Sequence, residues 1–73
     1  MERYLNLGGR SNVLEYEIGP DYISVIFKGT ARIYTYSYKG AGAANVEEMK
    51  RLARAGQGLN AFIKRYVNQL YDK

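Results

Sequence analysis

From Arg32 to Lys39 the chain reads Arg-Ile-Tyr-Thr-Tyr-Ser-Tyr-Lys, with tyrosine at every second position: 34, 36 and 38. Successive side chains of a strand point to opposite faces, so this spacing puts all three rings on one side of a sheet. That side is either core or an open row of π-surfaces beside arginine and lysine, the arrangement a nucleic-acid binder uses. Tyrosine suits half-buried pleated surfaces, so core packing with hydroxyls at the rim is the favoured reading. Tyr38, at the strand end, is the ring expected to stay exposed.

Two strands precede this one. Val13 to Ile18 alternates Leu14, Tyr16 and Ile18 with Glu15 and Glu17, a half-buried pattern, and Gly19-Pro20-Asp21 stops it with turn residues. Tyr22 to Lys28 is rich in β-branched and aromatic residues, and Gly29-Thr30 suits a two-residue type II′ link. These turns set a register: Ile18 opposite Ile23, Ile23 opposite Tyr36, Val25 opposite Tyr34, Phe27 opposite Arg32 and Lys28 opposite Ala31. One face then collects Leu14, Tyr16, Ile18, Ile23, Val25, Phe27, Tyr34 and Tyr36, and is expected to be buried. The other carries Glu15, Glu17, Ser24, Thr35 and Ser37 with an isoleucine pair, Ile26 and Ile33. A one-residue bulge in the second hairpin would turn the tyrosines outward instead. Residues 1–12 form a lead-in without regular structure, whose Leu5 and Leu7 tuck under the sheet.

After a flexible connector over residues 40–44, Asn45 is the expected N-cap of a helix, with Glu48 completing a capping box. Val46, Met49, Leu52 and Ala53 form its apolar stripe, Glu47 pairs with Arg51, and Gly56 ends it. A second helix follows, with Leu59, Phe62, Ile63, Tyr66, Val67, Leu70 and Tyr71 at helical spacing and Lys64, Arg65, Asn68, Gln69 and Lys73 opposite. Asn60 is expected to cap it. The fold class is α+β: a three-stranded antiparallel β-meander over residues 13–38, followed by two α-helices within 45–72 packed on one sheet face, as one domain spanning 1–73.

Charge divides the chain more sharply than its net +4 conveys. Up to Phe27, Arg3 and Arg10 stand against Glu2, Glu15, Glu17 and Asp21, a net of −2; from Lys28 onward nine basic residues stand against three acidic ones, a net of +6. The second half therefore suits phosphate, though a small domain also carries surplus charge for solubility. With no cysteine the chain has no disulfide staple or thiolate site, and with no histidine it lacks the usual neutral-pH base. Its acids are not paired for acid/base or metal chemistry, so the reading is a non-enzyme without cofactor or metal. No apolar run is long enough to span a bilayer and the N-terminus lacks a signal-peptide layout, so a cytoplasmic protein without a membrane partner is expected.

Several of these features follow the order of a known module. Ser11-Asn12, Phe27-Lys28-Gly29, Tyr34-Thr35-Tyr36, Gly56, Leu59-Asn60 and Ile63-Lys64 together resemble a KTSC domain, a short domain at the C-terminus of some lysyl-tRNA synthetases that also occurs as a stand-alone bacterial protein. The resemblance covers roughly residues 11–66. The family tends to have proline shortly after Tyr-x-Tyr, whereas this chain continues Ser37-Tyr38-Lys39, which implies a longer third strand here. The synthetase association implies RNA binding as a candidate function and assigns it no residues.

Two binding readings follow. In the first, Lys50, Arg51 and Arg54 of the first helix join Lys64 and Arg65 of the second as a phosphate-contacting patch for RNA, with Tyr38 and Lys39 adding a loop contact. The Gly56-Gln57-Gly58 turn is a secondary anion site in this scheme. In the second, Tyr22, Ile26 and Ile33 on the outer sheet face meet a protein partner or a second copy of the chain, as a homodimer.

Overall fold

The computed structural model describes residues 1–9 and 11–72; Arg10 and Lys73, the latter assigned above to a polar helix face, lie outside the described residues. Two turns organise the sheet. Glycine, proline and aspartate at 19–21 close a hairpin between β2 (Val13–Ile18) and β3 (Tyr22–Phe27), and a second turn connects β3 to β4 (Ile33–Ser37). The expected register holds along most of both ladders, with Ile18 opposite Ile23, Ile23 opposite Tyr36 and Val25 opposite Tyr34. No bulge reverses β4, so Tyr36 faces inward and is fully buried.

Departures from the expected sheet occur where tertiary contacts compete with local pattern. Glu2–Arg3 forms a fourth strand, β1, beside β2, and Tyr4 N–H donates to the Leu14 carbonyl. The sheet is thus a four-stranded antiparallel meander in the order β1-β2-β3-β4 rather than a three-stranded one. A bulge between Val13 and Glu15 sets Val13 opposite Phe27 and Glu15 opposite Ile26. One residue is left over there, and Val13 takes the buried position expected for Leu14. Leu5 and Leu7 do not tuck under the sheet; they are 66% and 65% exposed, and Tyr4 fills the core instead. The β3–β4 ladder ends at Ile26 opposite Ile33. The Phe27–Arg32 and Lys28–Ala31 pairs do not form, because Lys28 N–H donates to Asn12 across the other edge and Arg32 N–H to the Thr30 hydroxyl.

The strand expected to be lengthened, β4, ends with its ladder at Ser37. Ser37 caps a single helical turn, α1 (Tyr38–Ala41), its hydroxyl accepting from Gly40 N–H, so the segment expected as flexible connector is helical. Helix α2 (Ala43–Ala55) begins two residues before the expected Asn45 cap. Asn45 donates its side-chain amide back to the Ala41 carbonyl, which joins the two helices. Glu47 and Glu48 pair with Lys50 and Arg51 at i,i+3 rather than Glu47 with Arg51 at i,i+4. Gly56 ends α2 in the left-handed conformation at φ 76°, as its position suggests.

The last segment is shorter than its periodicity. Helix α3 (Leu59–Phe62) follows Gly58, so Asn60 lies within the helix and does not cap it. It passes into a π-helical turn over Ile63–Val67, closed by Asn68 N–H donating to the Ile63 carbonyl. The extra residue in that turn shifts the stripe. Tyr66 and Leu70 emerge to solvent, and residues 68–72 leave the helix to run beside β4. Both helical segments contact the sheet: Val46, Met49, Ala53, Leu59, Ile63 and Val67 share one core with Val13, Tyr16, Ile23, Val25 and Tyr36. Among the described residues, no helix is long and apolar enough to cross a membrane.

Candidate functional site

The two hairpin turns lie at opposite ends of the six-residue β3, about 17–20 Å apart at a rise near 3.3 Å per residue. Each end assembles a different chemistry, and the sequence-derived patch is divided between them.

At the Pro20–Asp21 end, Lys50 is buried at 4% exposure. Its Nζ donates to the Pro20 carbonyl at 3.1 Å, meets a Glu47 carboxylate oxygen at 2.7 Å and lies 5.5 Å from the Tyr38 ring centre. Tyr38, 37% exposed, donates its hydroxyl to the same Glu47 carboxylate, and its backbone N–H donates to Asp21. The hydrogen bond to Glu47 raises the Tyr38 phenol pKa above its usual value. Donation from Lys50, and then from Tyr38, lowers that of Glu47. This cluster ties α1, α2 and the first turn together, and it leaves Lys50 no free face for phosphate. Arg51 is held by Glu48 at 2.9 Å through Nε, while Arg54 is exposed and its charge acts on Glu47 and Tyr16. Lys39 is exposed on α1 at this same end.

At the other end, a cleft of about 400 Å³ opens between the β3–β4 turn and the π-helical turn. Phe27, Tyr34 and Tyr71 form its aromatic wall, with Tyr36 at its base. Tyr34 stands edge-on to Phe27 at 5.4 Å and to Tyr71 at 4.8 Å between centroids. The Arg32 guanidinium lies 5.0 Å from the Tyr34 ring centre and 5.7 Å from that of Tyr71. Tyr36 donates its hydroxyl to the Asn68 carbonyl, and burial, followed by its tyrosine neighbours, pushes its pKa up to about 12. It is a structural ring, neutral at physiological pH.

The polar lining is of two kinds. Asn12, Asn60, Asn68 and Gln69 supply amides, and Lys28 and Lys64 supply the ammonium groups. No buried side-chain nitrogen or oxygen among the described residues lacks a hydrogen-bond partner. Among the described residues, no carboxylate lines the cleft. The π-helical turn brings Lys64 and Asn68 into one lining, and the adjoining residues 68–72 carry Tyr71 onto Tyr34; π-helical turns recur at functional sites.

Of the sequence-derived candidates, Lys64 alone lines this cleft; Arg65 is beside it on the π turn, its guanidinium 5.7 Å from the Tyr66 ring centre. Tyr38, Lys39 and Lys50 gather at the far end. Sequence reasoning missed Lys28, Arg32, Tyr71 and the four amides. Lys28 and Arg32 were legible as the residues flanking a hairpin turn, whereas nothing local pointed to Asn12 or Gln69. At the helix–helix turn, Leu59 N–H already donates to the buried Tyr4 hydroxyl, which occupies one of the donors the anion-site reading requires. Comparison of the chain with known protein families, curated proteins and solved structures finds no match in any of the three.

Proposed function

We propose that the protein is a non-catalytic binding module that takes single-stranded RNA at the cleft between the β3–β4 turn and the π-helical turn. One observation carries the reading: aromatic rings, side-chain amides and the ammonium groups of Lys28 and Lys64 line a single open recess. Aromatic rings receive unpaired bases, amides satisfy base edges and lysines neutralise the backbone, whereas an intact duplex would keep its bases out of so small a recess. Arg32 and Arg65 extend the basic rim. The resemblance to the KTSC domain, through its association with a synthetase, favours RNA as the ligand and assigns it to no particular residues.

Fluorescence anisotropy of labelled single-stranded and duplex RNA, titrated with the protein at several salt concentrations, tests this. The single strand binds more tightly, and each phosphate contact contributes a slope of about −0.7 to log K against log salt. Replacing Lys28 and Lys64 together by glutamine weakens binding and flattens the slope; replacing Arg51 and Arg54 together changes affinity little. Absence of binding to both RNAs at low salt overturns the proposal.

A second reading rests on a different observation. Ile33 is 53% exposed and lies opposite Ile26 on the outer sheet face, an apolar pair suited to a protein partner or to a second copy. A mass that rises with concentration in light scattering, and no longer rises for Ile33→Lys, would favour it.

A further inference from the structure

We propose that Ser37 and Asp72 are positioning residues for the ligand cleft: they latch residues 68–72 against β4 and so hold Tyr71 in the cleft wall. This rests on the RNA-binding reading and extends it to two side chains that do not line the cleft. Asn68, Gln69 and Tyr71 all enter the lining from this strap. Tyr71 stands edge-on to its neighbours, 4.8 Å from the Tyr34 ring centre and 6.2 Å from that of Tyr36. The wall is therefore only as fixed as the strap. That segment has no regular secondary structure, and Leu70 N–H turns back to the Val67 carbonyl instead of reaching the sheet. Among the described residues, a single backbone hydrogen bond ties it to β4, from Asp72 N–H to the Thr35 carbonyl at 2.7 Å. The Ser37 hydroxyl donates to the Asp72 carboxylate at 2.8 Å and accepts from Gly40 N–H, which fixes its direction. Both bonds fall on the residue next to Tyr71. An exposed segment held by so few bonds opens at low free energy. A ligand that needs the closed wall then loses affinity in proportion to the closed fraction, and by linkage its binding holds the strap shut.

The test titrates a labelled single-stranded RNA with the full chain by anisotropy at several salt concentrations, with circular dichroism of each variant to monitor the fold. Ser37→Ala weakens binding on the order of fivefold, as loss of one hydrogen bond provides, and leaves the salt slope unchanged. Ser37→Thr, which keeps the hydroxyl, binds as the native chain does. Asp72→Ala also weakens binding, although removal of a negative charge would by itself strengthen attraction for phosphate. With Tyr71→Ala already in place, Ser37→Ala adds little, because the latch acts through that ring. RNA in turn slows hydrogen exchange at Asp72 N–H. Lys50→Ala, which weakens the fold at the opposite end, retains affinity and so separates the latch from general destabilisation. Affinity equal to that of the native chain in folded Ser37→Ala and Asp72→Ala, or the same loss repeated in Tyr71→Ala, overturns the positioning role and leaves RNA binding standing. Failure of the native chain to bind RNA overturns both.

Discussion

Lys50 holds a charged nitrogen inside the fold only because Glu47 and the Pro20 carbonyl both meet it. Removing the side chain strips the Pro20 carbonyl and the Glu47 carboxylate of a shared donor and empties the space its buried stem fills. Lys50→Ala is therefore expected to destabilise the protein by about 1–3 kcal/mol, read as a lower urea midpoint, with RNA affinity retained. Glu47 and Glu48 have pKa values below the usual carboxylate value, through hydrogen bonds from Lys50 and Arg51 respectively. A lowered folded-state pKa gives stability that is present above the unfolded value and is lost as pH falls through the folded one. Urea midpoints should accordingly drop on acidification below the ordinary glutamate range, and less steeply in Glu47→Gln/Glu48→Gln. Tyr36 has the opposite sign. Its pKa is raised from 10.0 to about 12, so its contribution is complete below pH 10 and is lost as pH rises toward 12. Tyr36→Phe should make the alkaline loss of stability shallower over that interval.

Elements meet at two glycines with little room to spare. Gly56 ends α2 at φ 76°, and a Cβ there would come within 2.7 Å of the Leu5 Cβ. Gly56→Ala combines left-handed strain with that collision and is expected to cost about 1–2 kcal/mol from the backbone alone, measured by urea unfolding. Gly40 sits under the C-terminal segment, where a Cβ would lie 2.8 Å from the Asp72 carboxylate and 3.1 Å from the Leu70 carbonyl. That segment is fixed by Asp72 N–H donating to Thr35 and by Ser37 donating to the Asp72 carboxylate. Gly40→Ala should loosen it and release Tyr71 from Tyr34. Hydrogen exchange at Asp72 N–H would rise while the amides of β3 stay protected.

Across the whole molecule, the sheet separates two charged ends. One is internally satisfied by Glu47, Lys50 and Tyr38; the other leaves Lys28 and Lys64 facing a recess. The net +6 of the second half is thus not one surface. A count of basic residues along the chain overstates how many meet one ligand, because Lys50 and Lys64 lie toward opposite turns. Ile33→Lys, on the outer sheet face, breaks no hydrogen bond or buried contact and should leave folding stability within about 0.5 kcal/mol. An unchanged urea midpoint checks this.

Much of the sheet was legible in the sequence. Period-2 patterning and short turns dictate which residues of β3 and β4 oppose each other, since a one-residue slip would bring Ser24 and Thr35 into the core. Gly56 was legible for a similar reason: a helix end in left-handed conformation favours a residue without a Cβ. β1, the bulge at Leu14 and the π-helical turn were not. The first two depend on partners distant in sequence, Glu2 on Tyr16 and Val13 on Phe27, and the segment after the π turn seats Tyr71 on Tyr34, which is as distant. The site shares that fate. Side-chain type and local spacing indicated a basic, tyrosine-rich module, but burial of Lys50 and the meeting of Lys28, Asn60 and Lys64 were decided only when the helices closed on the sheet, because a charge is available to a ligand only where the packed chain leaves it unpaired and facing solvent.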